Sequence, residues 1–200
     1  NTTNYTYYND SLVLMMNFNN VSALGEDADT FADVSKYNHN GNCIGINCPA
    51  LSSGKYGNAY SFDGIDDYIN VSYASILSAP SDNFTVSFWA NSEVYQQSKN
   101  AIVWIQDLVG DSLSINPYDD AGGGNGVRVW WGDLGGNMIN ENGATRTGWN
   151  HFTFTHSTGN SIIYVNGLNT VSSPSLGPKG SFAEFYIGNI ATNYVLNGSI

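Results

Sequence analysis

The sequence predicts an all-β protein built as a two-sheet antiparallel jelly-roll sandwich. Three observations carry the prediction. Apolar residues almost never recur at the 3.6-residue helical period. They fall instead into ten short alternating or apolar runs, each bounded by Gly, Asn, Asp, Ser or Pro. The spacing between runs is that of hairpins, which belongs to stacked antiparallel sheets and not to strand-helix-strand units.

Taken in order, the strand candidates begin with "SLVLMMNF" (11–18), "AYSFDG" (59–64) and "DYINVS" (67–72). "FTVSFWAN" (84–91) sets Phe84, Val86 and Phe88 on one face and Thr85, Ser87 and Trp89 on the other. "NAIVWIQD" (100–107), "DSLSINPY" (111–118) and "GVRVWWGD" (126–133) follow. In "NHFTFTHS" (150–157), Phe152 and Phe154 share one face, and His151 and Thr153 the other. "SIIYVNGL" (161–168) and "FAEFYIGN" (182–189) complete the set. "TGN" (158–160) and "NG" (166–167) supply residues that tolerate positive φ between strands. "DDAGGGNG" (119–126) reads as a mobile Gly-rich loop and "PSLGPKGS" (174–181) as a Pro/Gly connection. With no repeat and no break in composition, one domain over residues 11–200 is expected, preceded by a polar, extended segment at 1–10.

Composition excludes several functions. The net charge is −11, yet charged residues make up only 12% of the chain. The six Lys and Arg are scattered, so the clustered positive patch that nucleic acid requires cannot be built. An anionic membrane surface would repel such a chain. No run of eighteen apolar residues is present. Residue 1 opens without a basic or apolar leader, so no secretory signal is expected within these residues. Export is nonetheless indicated by seven N-x-S/T sequons, at Asn1, Asn4, Asn9, Asn20, Asn70, Asn83 and Asn197. Cys43 and Cys48, in "GNCIGINCP", lack the second pair or spaced His that a zinc site needs. A Cys43–Cys48 disulfide is therefore expected, pinning a tight surface loop in an oxidising compartment.

The order of these pieces resembles the laminin-G-like, concanavalin-A-like jelly-roll family. An opening apolar strand leads to "DVSKYNHNG", then "GKYGNAYSFDGIDDYINV", "FTVSFWAN", "GWNHFTFTHSTGNSIIYVNG" and "FYIGN…LNGSI". The match runs over most of residues 11–200. In the family, the last segment continues with an acidic residue and a closing strand of the type D-E-V-x-I-Y, whereas here the sequence stops at "LNGSI". Either that strand follows Ile200 or it is missing. A missing strand would leave an unpaired edge beside the N-terminal strand, open to pairing by another chain. The segment "NTTNYTYYND" has the composition to fill such a gap in a neighbouring subunit.

The resemblance also implies calcium on the loops, with Asp33, Asn40, Asp63 and Asp66 as candidate ligands. Calcium takes six to eight oxygens from a non-contiguous set. The competing reading of "FDGIDD" is turn chemistry, with Asp63 ending a strand, Gly64 at positive φ, and Asp66 and Asp67 in an Asx turn. For Asp67 the turn reading leads. "GEDAD" (25–29) reads as a solvated acidic loop. Catalysis is not expected. Glu26, Glu93, Glu141 and Glu184 have no acidic partner at strand spacing, and no G-x-S-x-G elbow is present. His151 reads as a structural histidine.

Glycan binding suits the residues better. Sugars stack on aromatic rings while Asn, Asp and Arg take their hydroxyls. "VRVWWGD" sets Arg128 and Trp130 on the face opposite Val127, Val129 and Trp131. Tyr118, Asp119, Asp120 and Asn125 stand where they can rim that platform. Two expectations follow. The first is an extracellular, non-catalytic adhesion or binding domain for a glycan or surface protein, with calcium as a loop organiser. The second is a subunit of a glycosylated surface filament or layer, assembled by β-strand exchange through the N-terminal segment.

Overall fold

The computed structural model describes residues 10–71, 83–92, 102–107, 112–119, 126–132, 137–141, 148–157, 160–173, 182–188 and 195–200. These form fifteen strands, every pair of them antiparallel, in two sheets. The eight-stranded sheet contains β1 (Thr30–Phe31), β2 (Gly41–Asn42), β5 (Ile69–Val71), β7 (Val103–Asp107), β8 (Ser112–Asp119), β9 (Gly126–Gly132), β10 (Asn137–Glu141) and β14 (Phe182–Ile187). Its order is β1-β2-β5-β14-β7-β8-β9-β10. The seven-stranded sheet contains β3 (Ala50–Ser53), β4 (Asn58–Asp63), β6 (Phe84–Ser92), β11 (Asn150–Ser157), β12 (Asn160–Val165), β13 (Leu168–Ser173) and β15 (Asn197–Ser199). Its order is β13-β12-β11-β6-β15-β4-β3. The expected jelly-roll sandwich is the observed fold.

Alternation decides which side chains enter the space between the sheets. Along β11 the pattern is strict: Phe152 and Phe154 are buried while His151 and Thr153 are half-exposed. β6 pairs with it in register, Phe88 opposite Phe152 and Val86 opposite Phe154. From the other sheet, Ile105, Leu113, Ile115, Val127 and Val129 close the core. Burying each such side chain contributes about 1.5–3 kcal/mol. The β12–β13 hairpin turns on Asn166 and Gly167, at φ 52° and 78°, as "NG" predicts.

The opening run at 11–18 departs from expectation. It is not a ladder strand, and its single bridge joins Met16 to Asp33. The amide of Met15 goes to the Asp33 carboxylate and not to a neighbouring strand. The run's apolar side chains still pack on the core: Phe18 meets Phe31 and Tyr60 edge-to-face, at 6.2 and 6.0 Å between centroids.

The C-terminal residues form β15, inserted between β4 and β6. On the β6 side it pairs only with Asn91 and Ser92. Beyond its last residue, Ser199, the N–H and C=O of Ile200 both bond to the backbone of Tyr60. Among the described residues, positions 85–89 of β6 therefore have a strand partner on the β11 side alone. A cavity of about 1330 Å³ lies beside them. Of the expected loop at 119–126, residues 120–125 fall outside the described residues, as do the connection at 174–181 and Asn1, Asn4 and Asn9.

Candidate functional site

The outward face of the eight-stranded sheet carries the residues singled out for ligand binding. In β9, Val127 and Val129 are fully buried in the core, so Arg128 between them points outward and is half-buried. Pairing sets Arg128 opposite Asn116 of β8 on one side and Asn140 of β10 on the other. Asn116 and Ser114 share this outward face, since Leu113 and Ile115 face the core, yet they are only 3% and 2% exposed. Asn116 Nδ2 donates a long bond to Ser114 Oγ, 3.5 Å. Asn116 Oδ1 is buried and accepts no hydrogen bond among the described residues. A buried amide oxygen in that state costs about 1–3 kcal/mol.

The same register places Trp130 opposite Ser114, Ser114 opposite Trp104, and Trp104 opposite Tyr186. Trp104 is half-buried. Burial pushes the Tyr186 phenol above its ordinary value, helped by the nearby charges of Glu184 and Tyr68. Tyr118 and Asp119 end β8, where Asp119 pairs with Gly126 past a register shift. Asp120 and Asn125 lie outside the described residues. Ser114, Asn116, Trp104 and Tyr186 were not singled out from the sequence. The signal was there: in "DSLSINPY", Ser114 and Asn116 alternate with Leu113 and Ile115 and so occupy one outward row.

At the other candidate site, "FDGIDD" is both turn and cluster. Asp63 Oδ1 accepts the amides of Ile65, at 2.8 Å, and of Asp66, at 3.3 Å. Gly64 sits at φ 77°, where a Cβ would stand 2.7 Å from Asn197 Cβ. Asp67 Oδ2 accepts the Asp63 amide at 2.8 Å. Carboxylate oxygens of Asp63, Asp66 and Asp67 all lie within 4.8 Å of one another. Asp67 is buried, and burial raises its carboxyl above the ordinary value against the Asp63 N–H bond, with Asp63 and Asp66 adding repulsion. Such a set suits a hard cation that takes oxygen ligands.

Asp33 and Asn40 meet each other but belong to a different construction. Asn40 Oδ1 accepts the Asp33 amide at 2.9 Å. The Asp33 carboxylate accepts from Met15 N, 2.8 Å, Ser35 N, 2.9 Å, Ser35 Oγ, 2.7 Å, and His39 N, 2.8 Å. Burial opposes its ionised form, but these bonds, led by that from Met15, prevail and hold the carboxyl below its ordinary value. Asp33 thus clamps the opening run to the turn at 35–39, and it joins no carboxylate cluster among the described residues.

The acidic run at 25–29 is solvated only in part. Asp27 and Asp29 are exposed, but Glu26 is 3% exposed and accepts the Val21 amide. A carboxylate that caps a turn backbone is drawn inward by the N–H it satisfies. The Cys43–Cys48 disulfide forms as expected. Of the sequons, Asn20 and Asn83 are exposed, while Asn70 and Asn197 are half-buried within β5 and β15. His151 Nε2 pairs with Ser87 Oγ at 2.9 Å, and its ring lies 5.1 Å from Trp89.

A sequence profile of the concanavalin A-like lectin/glucanases superfamily, of laminin G type, matches residues 63–200. No curated protein matches the chain in sequence. Among solved structures, domain 4 of AbnA, an extracellular arabinanase from Geobacillus stearothermophilus solved with arabinotriose, is similar with TM-score 0.68 at 19% identity. That likeness covers 86% of this chain and 87% of the other. The Trypanosoma rangeli sialidase, solved with the inhibitor DANA, is similar with TM-score 0.64 at 14% identity. The likeness covers 86% of this chain but only 28% of that enzyme. The CBM40 module of a Ruminococcus gnavus sialidase, bound to α2,3-sialyllactose, gives TM-score 0.54 at 11% identity, over 71% of this chain and 85% of that one. At such identities these structures speak for the fold. With the profile spanning more than half of its length, the chain belongs to the concanavalin A-like lectin/glucanases superfamily.

Proposed function

We propose that this chain is an extracellular, non-catalytic carbohydrate-binding domain that adheres to glycan through the outward face of its eight-stranded sheet. The observation that carries this reading is the Asn116 carboxamide. Its Oδ1 is a buried acceptor with no hydrogen bond among the described residues, in a residue paired opposite the half-buried Arg128 on a face away from the core. Sugar hydroxyls supply the donors such an acceptor needs, and a guanidinium fork binds paired oxygens. In this reading Trp130, opposite Ser114 in register, contributes the stacking ring, and Tyr118, Asp119, Asp120 and Asn125 are the rim residues. The similar structures support the reading through what they hold, arabinotriose in one and sialyllactose in another.

Calcium, in this reading, organises the turn at 63–67 through Asp63, Asp66 and Asp67, while Asp33 and Asn40 hold the backbone at Met15 and 33–39. The disulfide and the exposed sequons at Asn20 and Asn83 fit a secreted glycoprotein. The test is titration calorimetry with arabinotriose and α2,3-sialyllactose. Binding of one of them, weakened at least tenfold by Arg128→Ala in a folded variant, is expected. An intact protein that binds no oligosaccharide across a glycan array, or an Arg128→Ala variant that binds unchanged, would refute it.

A further inference from the structure

We infer that the ligand of the eight-stranded sheet is an extended oligosaccharide laid across the strands, with Trp104 and Tyr186 as the residues that read its length. The inference rests on the carbohydrate reading and names the ligand class of that face.

Four neighbouring strands each hold one outward residue between two buried apolar ones. Asn70 stands between Ile69 and Val71, Tyr186 between Phe185 and Ile187, Trp104 between Val103 and Ile105, and Ser114 between Leu113 and Ile115. Register then sets Asn70 opposite Tyr186, Tyr186 opposite Trp104, and Trp104 opposite Ser114, so the four form one row across the sheet. Asn116, Arg128 and Asn140 form a second row. It lies two residues further along β8, about 7 Å away. The rows meet in β8, and together they cross the six adjacent strands β5, β14, β7, β8, β9 and β10. At the ordinary strand spacing that path is roughly 24 Å long. A single sugar covers a small part of it. A chain of sugars covers it all.

The occupant is argued from the make-up of the path. Trp104 and Tyr186 are half-buried, and Tyr68 meets Tyr186 edge-to-face at 6.3 Å, which braces that ring. Tyr and Trp each join an apolar body to a polar tip, the same division that a sugar ring presents with its C–H faces and hydroxyl edges. The two rings are bracketed in their own row by the Asn70 amide and the Ser114 hydroxyl. Beyond them Glu184 stands opposite Gln106, offering further groups for hydroxyls. A protein partner would be met by a larger apolar centre inside a polar rim. Here apolar and polar groups alternate along a line, which suits a chain whose units repeat both characters. The line is also continuous with the Asn116 Oδ1 acceptor and Arg128, so one ligand reaches both rows.

The experiment is titration calorimetry with arabinose, arabinobiose, arabinotriose and arabinopentaose, repeated with the strongest ligand of a glycan array and that ligand's own shorter fragments. Affinity should rise at least tenfold from the disaccharide to the longest chain. Trp104→Ala, checked for folding by circular dichroism, should flatten that rise, and Trp104→Phe, which keeps a ring, should restore most of it. Tyr186→Ser should flatten it as well, and it decides the matter if Trp104→Ala does not fold. Affinity indifferent to chain length, as for a ligand held by its terminal sugar alone, would overturn the inference and leave the Arg128 site standing. A length dependence that both ring variants preserve would do the same. A protein that binds no oligosaccharide at all overturns this inference together with the carbohydrate reading.

Discussion

Replacing Asp33 with alanine tests how the opening run is held. The carboxylate accepts four hydrogen bonds, three of them from backbone amides of Met15, Ser35 and His39, and is 4% exposed. Alanine leaves those donors without an acceptor in a closed site. At about 1–3 kcal/mol for each buried donor so stranded, and allowing for partial relaxation and coupling among neighbours, the loss should be about 3–5 kcal/mol. Asparagine keeps one acceptor oxygen and should lose about half as much. The folded carboxyl titrates below its ordinary value, so its contribution is complete above the unfolded pKa and is lost as pH falls through the folded one. Urea unfolding followed by tryptophan fluorescence should show the full deficit at pH 7, and a deficit that shrinks below about pH 4. A cost under about 1 kcal/mol at neutral pH, or a deficit indifferent to acid, would refute the clamp.

Three further outcomes can be checked alongside. Asp67 titrates above its ordinary value, which means that ionisation weakens the folded state as pH rises. Asp67→Asn should therefore raise the melting temperature at pH 7 in chelator, lose that advantage at pH 3, and abolish any calcium-dependent rise in melting temperature. Gly188→Ala should cost about 3 kcal/mol in urea unfolding, because φ is 96° and the new Cβ would stand 2.3 Å from Phe62 Cε1. Opening the Cys43–Cys48 bridge by serine substitution should cost about 2 kcal/mol, since the loop it closes spans a sequence separation of only 5.

Much of the sandwich is legible in local pattern. β6 and β11 announce themselves because each alternates over eight or nine residues, and a period of two assigns both faces without reference to any neighbour. The same rule carries Arg128 outward between Val127 and Val129. It fails for β1, β2 and β15, which run two or three residues and exist only because a longer strand lies alongside. It fails again for residues 11–18, where an apolar run looks like a strand but a carboxylate eighteen residues away takes its amide.

The chain by itself determined the class of fold, the disulfide and the outward row bearing Arg128, since each depends on residues near one another along the backbone. Tertiary structure alone decided that Asn116 is buried opposite Arg128 with its Oδ1 unbonded among the described residues, and that Asp67 joins Asp63 and Asp66 in one cluster. It also decided that the Asp33 carboxylate gathers the amides of Met15, Ser35 and His39. Burial and vacancy belong to the packing of distant segments, and no window of sequence contains both sides of a contact.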